Sequence, residues 1–221
     1  MSPVPTSSDR DVVSELTTGR LSVYLRCLTF LELQGQKTVS SAELADRFHL
    51  NSAQIRKDLA CFGEFGTRGV GYDVSQLKQQ LVQELGIDRT RNAVIIGAGN
   101  LGMALADYAG FNANGFHIVA LLDIDPVKVG RTSRQGIPVL AYEQLDDVVR
   151  RNRVEIGIIA VTATAAQIVH DALVAAGLRA ILNFAPVQLR LHEGVKVKSV
   201  DLRINLESLS FHLKKVEDGM T

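Results

Sequence analysis

The sequence predicts an α/β protein in two parts, an all-helical N-terminal block and a doubly wound parallel sheet after it. Three observations carry this reading. Leucines recur three and four residues apart through residues 18–86, the spacing of one buried helix face. From residue 93 short β-rich apolar runs alternate with helical ones. Between the first of those runs and its helix stands Gly97-Ala98-Gly99-Asn100-Leu101-Gly102.

In chain order, residues 1–17 (MSPVPTSSDRDVVSELT) read as a disordered lead without the basic and apolar regions of a signal peptide. A first helix near 18–34 carries Leu21, Leu25, Leu28 and Leu31, and Gly35 stops it. Ser40-Ser41-Ala42-Glu43 predicts a capping box, Ser40 and Glu43 each satisfying the other's exposed backbone donor. That second helix ends near His49. Asn51 or Ser52 caps a third, with Ile55, Leu59 and Phe62 on one face and Gln54, Arg56 and Lys57 looking outward; Gly63 ends it. After Gly66-Thr67-Arg68-Gly69-Val70-Gly71-Tyr72, Asp73 caps a fourth helix bearing Leu77, Leu81 and Leu85, with Gly86 as its stop. IDRTRN (87–92) reads as a linker. Beyond it, residues 93–97, 117–123, 155–161, 179–184 and 195–200 read as strands, and 100–110, 141–151 and 164–176 as helices. A Rossmann-type sheet thus fills 93–202, and residues 203–221 carry a last helix.

The glycine motif follows a strand and opens a helix, the context a dinucleotide fingerprint requires. Gly97 makes the tight turn, Gly99 lets backbone approach a pyrophosphate, and Gly102 permits close helix–strand packing. Ala98, Asn100 and Leu101 complete the phosphate loop, whose helix N-terminus favours anions. Asp123, 21 residues after Gly102, can accept from both adenosine ribose hydroxyls; a 2′-phosphate would be repelled, which favours NAD over NADP. Asp125, before Pro126, is better suited to cap the next turn, with Lys128, Val129 and Gly130 as further loop contacts.

Little in the chain could use a nicotinamide for turnover. Hydride transfer usually needs an acid/base group beside the ring. His49 lies in the helical block, His117 at a strand start, and His170 inside an expected surface helix; His192 and His212 have no assigned role. No substrate domain is left over. Cys27 and Cys61 lack metal-ligand spacing and read as core thiols, and no metal site is expected. No apolar run is long enough to cross a bilayer, so a cytoplasmic protein without a membrane partner is expected.

Three short helices, a glycine-hinged loop and a further helix match a winged helix-turn-helix. The third helix would offer Ser52, Gln54, Arg56 and Lys57 to a major groove. GTRGVGY would form the wing, Arg68 and Gly69 at its tip meeting a minor groove. Net charge is zero, with 24 basic and 24 acidic residues, so placement rather than bulk charge carries this reading against an ordinary helical bundle.

QIRKDLACFGEFGTRGVGY (54–72), VIIGAGNLGMALADYAGF (94–111), LLDIDPVKVG (121–130) and ILNFAP (181–186) together resemble the Rex family of redox-sensing transcriptional repressors, over about Arg20–Leu213. The resemblance implies a homodimer that binds palindromic operator DNA when NAD⁺ prevails and leaves it when NADH binds. It implies that Thr162 and Ala163 border the cofactor, that Asn183, Phe184, Ala185 and Pro186 line the nicotinamide side, and that Tyr108 lies near that ring. Arg26, Tyr108 and Asp201 would take part in the switch between states. Leu202 stands where other members place an aromatic, and the final helix, with Ile204, Leu206, Leu209, Phe211 and Leu213, would be exchanged between subunits as a domain-swapped element. The alternative reading is an NAD-dependent oxidoreductase or epimerase-like enzyme with a helical dimerisation block.

Overall fold

The computed structural model describes residues 15–63, 65, 66 and 70–218. Most of the expected lead, and Arg68 and Gly69 of the expected wing tip, lie outside them. The chain divides between Arg89 and Thr90 into two compact units, inside the stretch read as a linker.

The first unit contains α1 (Glu15–Leu33), β1 (Thr38–Val39), α2 (Ser41–Phe48), α3 (Ser52–Ala60), β2 (Tyr72–Asp73) and α4 (Val74–Glu84). α1 begins three residues before the expected boundary at 18, and its Thr17 is buried. Leu21, Leu28, Leu31, Leu44, Ile55, Leu59, Leu77 and Leu81 meet in one core, the outcome of the leucine spacing. β1 and β2 pair antiparallel, Thr38 opposite Asp73 and Val39 opposite Tyr72. Two side-chain caps set the helix starts: Asn51 accepts from the Gln54 amide at 3.0 Å, and Asp73 from the Gln76 amide at 2.8 Å. The capping box is only half made. Ser40 Oγ accepts from the Glu43 amide, but the Glu43 carboxylate takes the Gln36 side-chain amide at 2.7 Å, a stronger local partner than a strand-end N–H. Between α2 and α3, His49 adopts a left-handed conformation (φ 55°) that turns the chain in two residues.

A buried carboxylate ties α1 to α3. Asp58, 2 % exposed, receives Arg20 Nε and Nη2 at 2.5 and 2.7 Å, the Tyr24 hydroxyl at 2.8 Å and Gln54 Nε2 at 2.7 Å. Burial pushes its carboxyl up, and the hydrogen bonds from Arg20, Tyr24 and Gln54 outweigh that and hold it below the ordinary value.

The second unit contains β3 (Arg91–Ile96), α5 (Asn100–Ala106), α6 (Ala109–Ala113), β4 (Phe116–Asp123), β5 (Val139–Ala141), a 3₁₀ turn (Tyr142–Gln144), α7 (Leu145–Arg151), β6 (Ile156–Ile159), α8 (Ala163–Ala175), β7 (Ala180–Asn183), β8 (Lys196–Ser199) and α9 (Leu202–Glu217). All six strands are parallel, in the order β5-β4-β3-β6-β7-β8. Its faces are covered by two apolar clusters, one around Ile96, Leu122, Ile159 and Leu173, the other around Ile95, Leu121 and Ile158. Three details depart from expectation. β5 is a three-residue edge strand, too short to show a pattern of its own. The helix expected over 100–110 breaks at Asp107–Tyr108 into two. His170 is fully buried rather than on a surface face, because α8 packs into the cluster containing Val169 and Leu173.

Because the folded Asp58 carboxyl titrates below its unfolded value, its contribution is complete above about pH 4 and fades as pH falls through the folded value. Replacing Asp58 by Ala, which strands Tyr24 and Gln54 donors, should cost roughly 3 kcal/mol at pH 7. Denaturant titrations should show the wild-type-to-variant gap shrinking below about pH 4; a gap constant to pH 2.5 would refute this account.

Candidate functional site

The strand order reverses direction at β3 and β6: β3 is followed outward by β4, β6 by β7. In such sheets ligands bind beyond the carboxyl ends of the strands at that point. The Gly97–Gly102 turn follows β3 and Thr162-Ala163 follows β6, so two segments read separately from sequence become neighbours.

The three glycines have three different jobs. Gly97 has φ 105°, and a Cβ there would stand 2.5 Å from the Ala160 carbonyl oxygen of the adjoining chain. Gly102 packs so tightly that a Cβ would fall 1.8 Å from the Gly97 oxygen. A Cβ on Gly99 would meet nothing within 4 Å. The first two glycines serve the fold; the third faces open space. Above it, the first-turn amides of α5 have no intrahelical acceptors. A smooth concave turn with free donors suits a pyrophosphate, and the residues present therefore fit a dinucleotide.

Asp123 closes the other side. It is 8 % exposed, and its Oδ2 accepts from the Ala98 amide at 2.7 Å and Lys128 Nζ at 3.0 Å, while Oδ1 accepts from the Asp125 amide at 2.9 Å. Burial raises its carboxyl; the Asp125 amide, Lys128 and the Ala98 amide outweigh this, leaving it below the ordinary value. An anion with one lightly used oxygen is thus fixed at the end of β4, where ribose hydroxyls can donate. The Ala98 amide is engaged by Asp123. Asp125 does cap the next turn, accepting from the Val127 amide at 3.0 Å.

Asn183 is fully buried, and its amide is used internally. Its Nδ2 donates to the Ala185 and Val187 carbonyls at 3.1 and 3.2 Å, and its Oδ1 accepts from the Ala185 amide at 2.9 Å. It shapes the turn that presents Phe184, Ala185 and Pro186 beyond β7. Thr162 starts α8, exposed, with its hydroxyl 3.1 Å from that of Thr164. Tyr108 is exposed at the break between α5 and α6, its ring edge-on to Phe111 at 5.1 Å. Arg26 is exposed on α1 of the first unit. Asp201 caps α9 by accepting from the Arg203 amide at 2.9 Å, and Leu202 beside it is exposed.

On the helix expected to face DNA, Arg56 and Lys57 are exposed and Ser52 partly so. Arg56 Nη1 donates to Ser41 Oγ at 3.0 Å, linking the first turn of α2 to α3. Gln54 differs: its amide is committed to Asp58, so it orients α3 more than it reaches outward. Gly66 and Gly71 bring the two arms of the expected wing together, a Cβ on Gly66 standing 2.6 Å from the Gly71 oxygen. Asp58 and Arg20 escaped the sequence reading because 38 residues separate them.

Comparison with known proteins agrees with both units. Residues 12–60 match a family model described as a putative DNA-binding protein N-terminus, and residues 88–187 one described as a CoA binding domain. A redox-sensing transcriptional repressor Rex from Carboxydothermus hydrogenoformans is 51% identical over 203 residues, 92% of this chain and 97% of the relative. The Rex protein of Streptomyces coelicolor is 50% identical over 90% of this chain and 77% of its own. Among solved structures, RSP, a Rex-family repressor, in complex with β-NAD⁺ and operator DNA is similar with a TM-score of 0.88 and 38% identity, over 93% of this chain and 94% of that one. RSP in complex with β-NADH gives 0.83 and 37%, over 93% and 96%. Extensive identity across both units, with the glycine turn, Asp123 and the winged helix all in place, shows that this chain belongs to the Rex family of redox-sensing transcriptional repressors.

Proposed function

We propose that this chain works as a homodimer that holds palindromic operator DNA when NAD⁺ prevails and releases it when NADH is bound. The observation that carries the reading is the dinucleotide turn, open at Gly99 and flanked by Asp123, joined in one chain to a winged helix-turn-helix. Its relative RSP has been crystallised with β-NAD⁺ and operator DNA, and separately with β-NADH. A cytoplasmic location fits this reading, since a repressor must reach its operator.

The two oxidation states differ at the nicotinamide in charge and planarity, and an apolar pocket favours the neutral ring. Phe184 and Pro186 would supply apolar surface on that side, the turn being held by Asn183, while Ala185 is buried in the core beneath them. Tyr108 is free to move onto it, and Arg26 and Asp201 are the charged groups through which the switch would pass. If the reduced form selects the closed dimer by about 100-fold, the coupling is ~2.7 kcal/mol, enough to move the half-site readers out of register. Arg56, Lys57 and Ser52 on α3, with Arg68 and Gly69 of the wing, would make the DNA contacts, supported by Asp58 and Gln54 behind them. The oxidoreductase alternative has less support, since the relatives carry the name of repressors.

The dimer contact follows from α9. None of its residues is buried, although Leu202, Ile204, Leu206, Leu209, Phe211 and Leu213 all lie on it. Leu209 and Phe211 are 61% and 62% exposed. A 16-residue helix with that much apolar surface needs a cover, and a second copy exchanging the same helix supplies one.

In an operator titration, NADH should weaken DNA binding by about 100-fold at moderate salt while NAD⁺ leaves it unchanged; equal affinity with both would sink the reading. Gly99→Ala should leave the melting temperature unaltered, because its Cβ meets open space, yet weaken dinucleotide binding about 10-fold or more and leave a repressor deaf to NADH. Unaltered NADH affinity in that variant would argue that the phosphates lie elsewhere. Leu209→Glu combined with Phe211→Glu should yield a monomer by analytical ultracentrifugation; a persisting dimer would move the interface off α9.

A further inference from the structure

Outside the nucleotide cleft, three side chains converge on the far end of α8. His170 Nδ1 lies 3.2 Å from Asp171 Oδ1, and His192 Nε2 lies 2.9 Å from the same oxygen. The two imidazoles stack with centroids 5.3 Å apart, and the three candidate ligand atoms all lie within 4.8 Å of one another. The arrangement is built, not incidental. Gln167 Oε1 accepts from the Arg190 amide at 2.8 Å, pinning the segment that carries His192 to α8. Gln167 Nε2 also donates to Asp171 Oδ1 at 2.8 Å.

The protons in this cluster do not balance. If His170 Nδ1 bears its hydrogen, three donors crowd one carboxylate oxygen, which offers two lone pairs. If Nε2 bears it instead, Gln167 Nε2 can donate to Nδ1 at 3.4 Å, but the Nε2 hydrogen is buried without a partner and Nδ1 still lies 3.2 Å from an anionic oxygen. A cation between them removes the repulsion between the Nδ1 lone pair and the carboxylate, with the hydrogen kept on Nε2. It would turn the imidazole lone pairs and the carboxylate inward together, and the solvent side, where Asp171 and His192 are 45% and 49% exposed, leaves a position for water.

We propose that His170 Nδ1, Asp171 Oδ1 and His192 Nε2 form a binding site for a divalent transition-metal ion of the Zn²⁺ class. Bonds of about 2.0–2.1 Å in a tetrahedral site put ligand atoms about 3.3 Å apart; the contacts of 3.2 and 2.9 Å to Asp171 lie near that spacing, and the imidazole nitrogens, within 4.8 Å, would have to close toward it. The ligand set of two imidazoles and one carboxylate suits zinc, nickel or copper and not the oxygen-seeking Mg²⁺ or Ca²⁺. The bound ion would staple residues 188–195 to α8, immediately after the Asn183–Pro186 turn.

Titrating chelator-stripped, untagged full-length protein with zinc chloride, against a chromophoric competitor, tests this. Wild type should bind one more equivalent than His192→Ala or Asp171→Asn, or bind it at least about tenfold more tightly. Co²⁺ should give visible absorption in wild type that both variants lose, and millimolar Mg²⁺ should not displace it. His192 stands on a half-exposed loop, so its replacement leaves the core intact; circular dichroism should match wild type. The same zinc stoichiometry and affinity in wild type and in both variants, or displacement by Mg²⁺, would overturn the site.

Discussion

The backbone contact between Gly102 and the Gly97 carbonyl sets the geometry on which the second unit's ligand cleft depends. With no side chain at residue 102, α5 begins directly against the end of β3. That proximity turns the first-turn amides toward a space at the carboxyl edge of the sheet, and Gly97 keeps the turn clear of the neighbouring Ala160 carbonyl. Had either position carried a Cβ, the helix would have to retreat and the donors would lose their common focus. Asp123 then locks the turn from the side through the Ala98 amide.

The same economy governs the buried polar groups. Asp58, Asp123, His170 and Asn183 are all buried, and each joins segments that no apolar contact could position as sharply. Asp58 joins two helices; Asp123 two strand ends; Asn183 a strand and its following turn. Burying such groups is costly unless they are hydrogen-bonded, and three of the four make three or more hydrogen bonds each. His170 is the exception, with an unpartnered nitrogen on one side and a crowded carboxylate on the other. Its other nitrogen, Nδ1, shares one carboxylate oxygen with His192, and that convergence is what makes the neighbourhood a candidate for an ion.

Function in this family asks a small chemical difference at one ring to alter how a protein sits on DNA. The components bearing that load are of two physical kinds. Rigid parts hold each unit's own shape: the sheet under the glycine turn in the second, and the Asp58-tied helices α1 and α3 in the first. Exposed parts, Tyr108 and the apolar α9, have surface left to bury and so have somewhere to go. A switch needs both: without stiffness the signal would dissipate, and without unburied surface no second arrangement could compete in energy.

Much of this was written locally and could be read locally. Leucine spacing gave the helices of the first unit, Asn51 and Asp73 their caps, and the glycine motif the tight turn between β3 and α5, since each depends on residues a few positions apart. The family resemblance rested on the same contiguous stretches. What the linear chain left undecided is long-range. The pairing of Asp58 with Arg20, the diversion of Glu43 to Gln36 and of Gln54 to Asp58, and the burial of His170 depend on which segments fold against each other. So do the three-residue strand β5 and the meeting of His170 with His192. A pattern of period 3.6 or 2 states which face of an element is apolar, but a hydrogen bond is only a few ångströms long and forms with whatever tertiary packing delivers. Local chemistry therefore determined the elements and the cofactor turn, and three-dimensional packing alone chose the polar partners.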